Sequence, residues 1–254
     1  LNQFCAYVWL QWRHNLSIAE QQAQLLTLSH RRANAAGHIP CREHQALMDL
    51  CMARIEGSPY IFEKQEFGQY CVRHHLPAAI NLAEGTRAEI TQHHPWPKND
   101  LFLKPANLGK GQGAEVLRYE ADSRIWLGAN DERLDPSTIL AYTRKQFNDG
   151  PWVLQPRLRN AATWQSFTTG GLATTRVVTG RLHRKGPPVV IGAYLRLPRK
   201  GAIVDNLCDG GIGAMIELET GRLSKGEDYF DHDREYTMHP DTGVPSESMI
   251  LPGF

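Results

Sequence analysis

The sequence predicts an α+β fold, a helical first third followed by a largely antiparallel β remainder, and three observations carry that expectation. Apolar residues recur at helical spacing as far as residue 76, and the apolar period falls to two from residue 78 onward. The later strand candidates are joined by long loops marked with Gly and Pro, with one helix candidate among them.

The helical boundaries have local causes. Phe4 to Trp12 is a dense apolar run that reads as a piece of core helix, far shorter than a membrane span needs. Ser17 and Glu20 form a capping box ahead of one long helix over Ile18 to Asn34, closed by Gly37 and Pro40. A second helix places Leu47, Leu50, Cys51 and Ile55 on one face and stops at Gly57-Ser58-Pro59. A third, Glu63 to His75, aligns Phe67, Tyr70 and Cys71 before Leu76-Pro77. All three read as packing helices.

The strand candidates begin at Ala79 to Ala83 and continue with Leu101 to Pro105, Glu115 to Tyr119 and Arg124 to Leu127. Asp135 and Pro136 are N-cap and first-turn residues of a helix ending at Asn148-Asp149-Gly150-Pro151. Strands then resume at Trp152 to Gln155, Leu172 to Thr179, Val189 to Leu197 and Ala214 to Leu218. The division expected is a helical region over 1–58, a connection over 59–95, a lobe over 96–150 and a second lobe over 151–254.

Composition excludes several function classes. Of 254 residues, 41% are apolar and 22% charged, ordinary for a globular chain, and 28 Lys and Arg against 27 Asp and Glu leave a net charge of +1. No global field draws in nucleic acid or an anionic membrane, so any anion site is local. The short basic clusters Arg31-Arg32, His183-Arg184-Lys185 and Arg196 to Lys200 read as solvated loops. Five scattered cysteines, an odd count, fit a reduced compartment and hence the cytoplasm. Cys41-x-x-His44, Cys71-x-x-His74-His75 and His93-His94 offer zinc-type ligands, but no second half completes either spacing. No nucleophile-elbow pattern is present.

One segment has the chemistry of a phosphate site. Lys104 closes an apolar strand, where its ammonium must snorkel or meet an anion. Behind it, Gly109-Lys110-Gly111-Gln112-Gly113 can take positive φ and let backbone N–H groups approach a polyphosphate. A flexible hairpin loop is the plainer reading, since the segment matches neither a Walker loop nor GxGxxG.

The order of segments is more specific. LFLKPANLGKGQGAE, VLQPRLRN, LATTRVVTG, VDNLCDGGIGAMIELETGRL and HPDTG, across residues 101–243, together resemble the ATP-grasp superfamily, and within it the sugar-transfer-associated branch related to α-L-glutamate ligases. Phe62-Glu63-Lys64 through Leu76-Pro77 is similar to the family's preceding helix, with His75 where glycine is common.

The resemblance implies two α+β lobes gripping ATP, with Mg²⁺ on its phosphates. Lys64, Lys104 and the loop with Gly109, Lys110, Gly111 and Gly113 would hold the triphosphate. Leu154 and Gln155 would lie on the hinge strand, Leu154 sandwiching the adenine ring. Arg176 would neutralise the transferring phosphoryl group, Asn206 would orient phosphate oxygens, and Asp205 would lie near a metal or an incoming amine. On their own residue types, Arg176 reads equally as a solvent-facing cation, and Asp205 and Asn206 as turn formers. Glu217 and Glu219 read as a solvated edge.

The activity implied is ligation of a small-molecule or sugar-linked carboxylate to an amine through an acyl phosphate, in a surface-polysaccharide or sugar-transfer setting. A kinase on the same fold and a non-catalytic nucleotide binder are the alternatives. In the family, the stretch matching His239-Pro240-Asp241-Thr242-Gly243 precedes a Trp-Asp segment and a Glu-x-Asn metal motif. The sequence ends at Phe254 before either. The expectation is therefore a partial unit with an open apolar surface, poor nucleotide binding and no turnover.

Overall fold

The structure, a computed structural model, describes residues 3–23, 26–27, 32–52, 64–86, 88–109, 111–146, 150–168, 170–181, 183, 186–229, 234–247 and 249–254. The chain forms two compact units, Leu1–Ser58 and Pro59–Phe254.

The first unit holds α1 (Gln3–His14), α2 (Ile18–Ala23), a 3-10 turn (Ala33–Gly37) and α3 (Cys41–Met52). The capping box forms as the sequence predicts, with Ser17 N–H donating to Glu20 Oε2 at 2.8 Å and Glu20 N–H to Ser17 Oγ at 3.3 Å. The long helix does not. Leu26 N–H bonds to Gln21 O, five residues back, which closes the helix rather than extending it. That turn buries Leu26 with Leu10, Leu16 and Ala35, so tertiary burial overrides the capped helical pattern. The apolar run of α1 is mostly outward-facing, with Phe4, Val8 and Trp12 exposed, and so are Leu47 and Leu50 of α3. The second helix's expected end at residue 57 lies outside the described residues.

The second unit opens with α4 (Lys64–Arg73). His75 takes φ +53°, with Leu76 N–H donating to Cys71 O at 2.9 Å. This left-handed helix end explains why glycine suits that position.

Two antiparallel sheets follow. The seven-stranded sheet runs β2-β1-β7-β3-β4-β5-β6, from β1 (Ala83–Gly85), β2 (Ile90–Gln92), β3 (Leu101–Pro105), β4 (Glu115–Glu120), β5 (Ile125–Leu127), β6 (Arg133–Leu134) and β7 (Trp152–Pro156). Strand β3 pairs with both β4 and β7, with Leu103 opposite Leu154 and Phe102 opposite Gln155. Its alternation buries Leu101 and Leu103 in a core with Leu154, Trp152 and Leu117, while Phe102 and Lys104 occupy the opposite face. The strand after residue 151, expected with the second lobe, thus joins the first sheet between β1 and β3. Asp135 caps α5 (Ile139–Gln146) by accepting from Ser137 N–H at 2.7 Å and Thr138 N–H at 3.0 Å.

The second sheet runs β12-β11-β10-β9-β8, from β8 (Thr174–Gly180), β9 (Val189–Leu197), β10 (Ile212–Ile216), β11 (Leu223–Glu227) and β12 (Glu235–Tyr236). Ala193, Leu195, Leu197, Ile212, Ala214 and Ile216 form its core face, with Phe167 packed in. The register sets Thr174 opposite Arg196 and Arg176 opposite Tyr194, on the other face. Val177, Val178, Val190, Ile191 and Met215 remain exposed on this sheet.

Candidate nucleotide site

The face of the first sheet that carries Lys104 and Gln155, and the face of the second that carries Arg176 and Arg196, enclose one cleft. Its phosphate-suited part is a cavity of ≈ 450 Å³ lined by Lys64, Lys104, Gly109, Gly111, Arg176, Arg196, Asp205 and Asn206, among others. Among the described residues, four cations and one carboxylate line it, an excess of positive charge that suits an anion. A second cavity of ≈ 280 Å³ shares Phe102, Lys104, Val204 and Asp205 with it and adds Gln155, Pro156, Leu158, Leu172 and Ile203. The two cavities share lining and so form one cleft, charged at one end and more apolar at the other.

Lys104 lies 5.7 Å from the Phe102 ring centroid. Burial, aided by repulsion from Lys64, lowers its pKa to about 8. Lys64, at the start of α4, donates to Ala106 O at 2.8 Å and Leu108 O at 2.5 Å, and so ties the base of the glycine loop to the helix. Gly111 has φ +72°, and a Cβ there would lie 2.7 Å from Val204 Cγ2. The loop from the first sheet thus meets the 203–206 segment of the second so closely that only glycine fits. Gly113 also has positive φ, +68°, but shapes the turn without lining the cavity. Lys110 lies outside the described residues.

The Asp-Asn-x-x-x-Gly-Gly segment has a geometric rationale. Asp205 accepts from Arg196 Nε at 3.0 Å, from Arg196 Nη2 and from Thr174 Oγ1, and both members of the ion pair are nearly enclosed, at 11% and 9% exposure. Burial works against the Arg196 charge, yet bonding to Asp205 keeps its pKa above the usual arginine value. Asn206 donates to Asp209 Oδ2 at 3.0 Å. Gly210 takes φ +85°, and a Cβ on Gly211 would lie 2.7 Å from Asn206 O, so the turn that presents Asp205 and Asn206 needs both glycines.

A second ion pair fixes the chain just before this segment. Arg199 donates to both Asp241 oxygens, at 2.7 and 2.9 Å, and Lys200 N–H adds a bond at 2.7 Å. Hydrogen bonding from Arg199 holds the Asp241 carboxyl at about 2. His239 is buried, accepts from Asp241 N–H at Nδ1 and meets Pro198 O at Nε2, 3.3 Å away. Burial lowers its pKa, and this network fixes a neutral ring with the proton on Nε2. The His239–Gly243 segment thus pins residues 198–200, where the chain departs toward Asp205.

The sequence expectations fare unevenly. Lys64, Lys104, Gly109, Gly111, Arg176, Asp205 and Asn206 converge on one cavity. Gln155 lines the adjoining one, its amide donating to Asn81 Oδ1 at 2.8 Å. Leu154 does not reach the cleft. Strand alternation turns it away from Gln155 into the core, fully buried, and Leu158, Leu172 and Ile203 supply the apolar walls instead. Arg196 and Arg199 are not solvated loop residues but partners of Asp205 and Asp241. The missed signal for Arg196 is its alternation with Leu195 and Leu197, which puts it on the Arg176 face.

The residues fit a nucleotide polyphosphate but not a protein-held Mg²⁺. Asp205, the one carboxylate among the cavity's described residues, is already bonded to Arg196 and Thr174. Among the described residues, no group of three or more His, Cys, Asp or Glu could hold a metal ion. No described helix is long and apolar enough to cross a membrane.

No curated protein and no solved structure matches the chain. The profile of the family described as Sugar-transfer associated ATP-grasp does match, over residues 53–254. That span holds every residue of the cleft, and the chain belongs to the sugar-transfer associated ATP-grasp family.

Proposed function

We propose that the cleft binds ATP and uses it to join a carboxylate to an amine through an acyl phosphate, in a sugar-transfer or surface-polysaccharide setting. Family membership carries ATP-dependent chemistry of ligase type. The observation that supports the finer reading is the convergence of Lys104, Lys64, Arg176 and Arg196 from two sheets around a cavity closed by a glycine loop.

In this reading adenine lies between Leu158, Leu172 and Ile203 beside the hinge strand, and the phosphates run toward Lys104. The substrate carboxylate attacks the γ-phosphorus as ADP leaves. Arg176, exposed on β8 and facing the cavity, neutralises the charge that builds on the transferring group, for which its planar fork is suited. The amine then displaces inorganic phosphate from the acyl carbon and yields an amide. Arg196, held by Asp205, keeps a fixed cation beside the reaction without reorganising. The glycine loop excludes water that would hydrolyse the acyl phosphate. Mg²⁺ would accompany the nucleotide, where it would screen the charge of the phosphates.

Product analysis with panels of carboxylates and amines decides between this reading and the expectation, from the sequence, of poor nucleotide binding and no turnover. Amide with ADP and free phosphate in equal amounts supports the reading, and a stable phosphorylated product would make the protein a kinase instead.

A further inference from the structure

A separate cleft of ≈ 500 Å³ lies between α4, the 76–81 segment and the β1–β2 hairpin, and the nucleotide reading makes no use of it. It shares no residue with the phosphate cavity and only Ala79 with the adjoining one. Val72, Leu76 and Ile80 form an apolar wall whose side chains are open to solvent and have no described covering. Gly68 allows Asn81 to lie against α4, where a Cβ would stand 3.0 Å from the Asn81 amide nitrogen.

Its polar end is a single carboxylate. Glu84 accepts from Asn81 Nδ2 at 2.9 Å and from Gln69 Nε2 at 3.5 Å, both neutral donors, and lies 3.3 Å from His93 Nε2. Its side chain is only 12% exposed. His93 is its only ion-pair partner among the described residues, and Arg73, at the exposed rim, makes no described pair with it. A carboxylate enclosed beside apolar walls, with neutral amides as its hydrogen-bond donors, offers a cation inside the cleft a partner at close range. One carboxylate with two amides is no metal cage. The apolar wall instead calls for a cation with a hydrocarbon body, and the volume suits one small organic molecule.

We propose that this cleft is a binding site for a small organic ammonium ion, its charged nitrogen on Glu84 and its apolar body against Val72, Leu76 and Ile80. His93 competes with the ligand for the carboxylate, so its removal should not weaken binding. The site stands independently of the nucleotide reading.

The test is calorimetric titration of the protein with 2-phenylethylamine and with 2-phenylethanol, which has the same body without the charge. The amine should bind saturably and at least tenfold more tightly than the alcohol. Glu84→Gln should weaken the amine tenfold or more, His93→Ala should leave it equal or tighter, and saturating unreactive ATP analogue should not displace it. Ile80→Lys, at an exposed wall position, tethers an ammonium within the cleft that carries Glu84 and should also weaken the amine tenfold or more. Equal affinity for amine and alcohol overturns the proposal, as does indifference to Glu84→Gln and Ile80→Lys or displacement by the nucleotide. If the protein takes no nucleotide, the function proposed above fails while the amine and alcohol comparison still decides this site.

Discussion

A nucleotide that binds in the cleft above pH about 8 should carry a proton in with it, and Lys104 is the group that takes it up. Burial and the neighbouring Lys64 hold the free lysine's pKa at about 8 in place of 10.5. A phosphate against the ammonium removes the reason for the shift and restores the ordinary value. At about pH 8.5 the free protein then carries this proton about one quarter of the time and the complex almost always, an uptake of about 0.75 proton per nucleotide. Affinity should fall about tenfold, or about 1.4 kcal/mol, between about pH 7 and about pH 9. The sign for stability is the reverse. The unfolded chain binds more protons than the folded one between about pH 8 and 10.5, so stability of the free protein rises with pH through that window. Lys104→Met should accordingly stabilise the free protein at neutral pH by up to about 3 kcal/mol while weakening nucleotide binding. The assay is titration of an unreactive ATP analogue in two buffers of different ionisation enthalpy. Zero proton uptake by the wild-type protein, or uptake that survives in Lys104→Met, would refute the reasoning.

Other residues give sharper local tests. Gly111→Ala forces a left-handed alanine and a Cβ at 2.7 Å from Val204, and nucleotide affinity should drop about tenfold from the backbone cost alone. Val204→Ala in the same chain should recover only the steric part, as equilibrium binding would show. Arg176→Lys keeps the charge but loses the fork, so single-turnover kinetics should show slower phosphoryl transfer with nucleotide affinity nearly unchanged. A change in affinity alone would remove Arg176 from the transfer step. Asp205→Asn leaves Arg196 enclosed without its anion and should cost about 3 kcal/mol in denaturant unfolding. The Asp241 carboxyl, held at about 2 against an ordinary 3.8, contributes stability that is present above about pH 4 and lost as the pH falls toward 2. Asp241→Asn should flatten that stretch of the acid-unfolding curve.

Much of the second unit was legible because its strands announce themselves by alternation. Leu101 and Leu103 bury one face of β3 and leave Lys104 on the other, as the sequence requires, and Val189–Leu197 forms the strand expected over those residues. Where one side chain's chemistry takes over from the pattern, the reading slips. Ala79 to Ala83 looked like a strand, but the Ala79 carbonyl and Asn81 amide bond to Gln155, so pairing starts at Ala83. The pattern LSKGE of β11 has no clean alternation, and its pairing with β10 and β12 is what makes it a strand. Within the site, Lys104, Arg176 and the Asn206 turn were readable from motif order. Arg196 was not, because its sequence neighbours Arg199 and Lys200 disguise it as part of a basic loop, whereas its placement depends on a partner nine residues away. Leu154 was misplaced for the complementary reason: proximity to Gln155 in sequence means opposite faces in a strand.

Amide hydrogen exchange with and without saturating unreactive ATP analogue tests the central claim most directly, because it reports where the nucleotide sits. Protection should appear together in the glycine loop at residues 106–114, at residues 155–158 and in the segment at 203–206, the three stretches that line the cleft. Saturable binding with protection confined to other parts of the chain would contradict it.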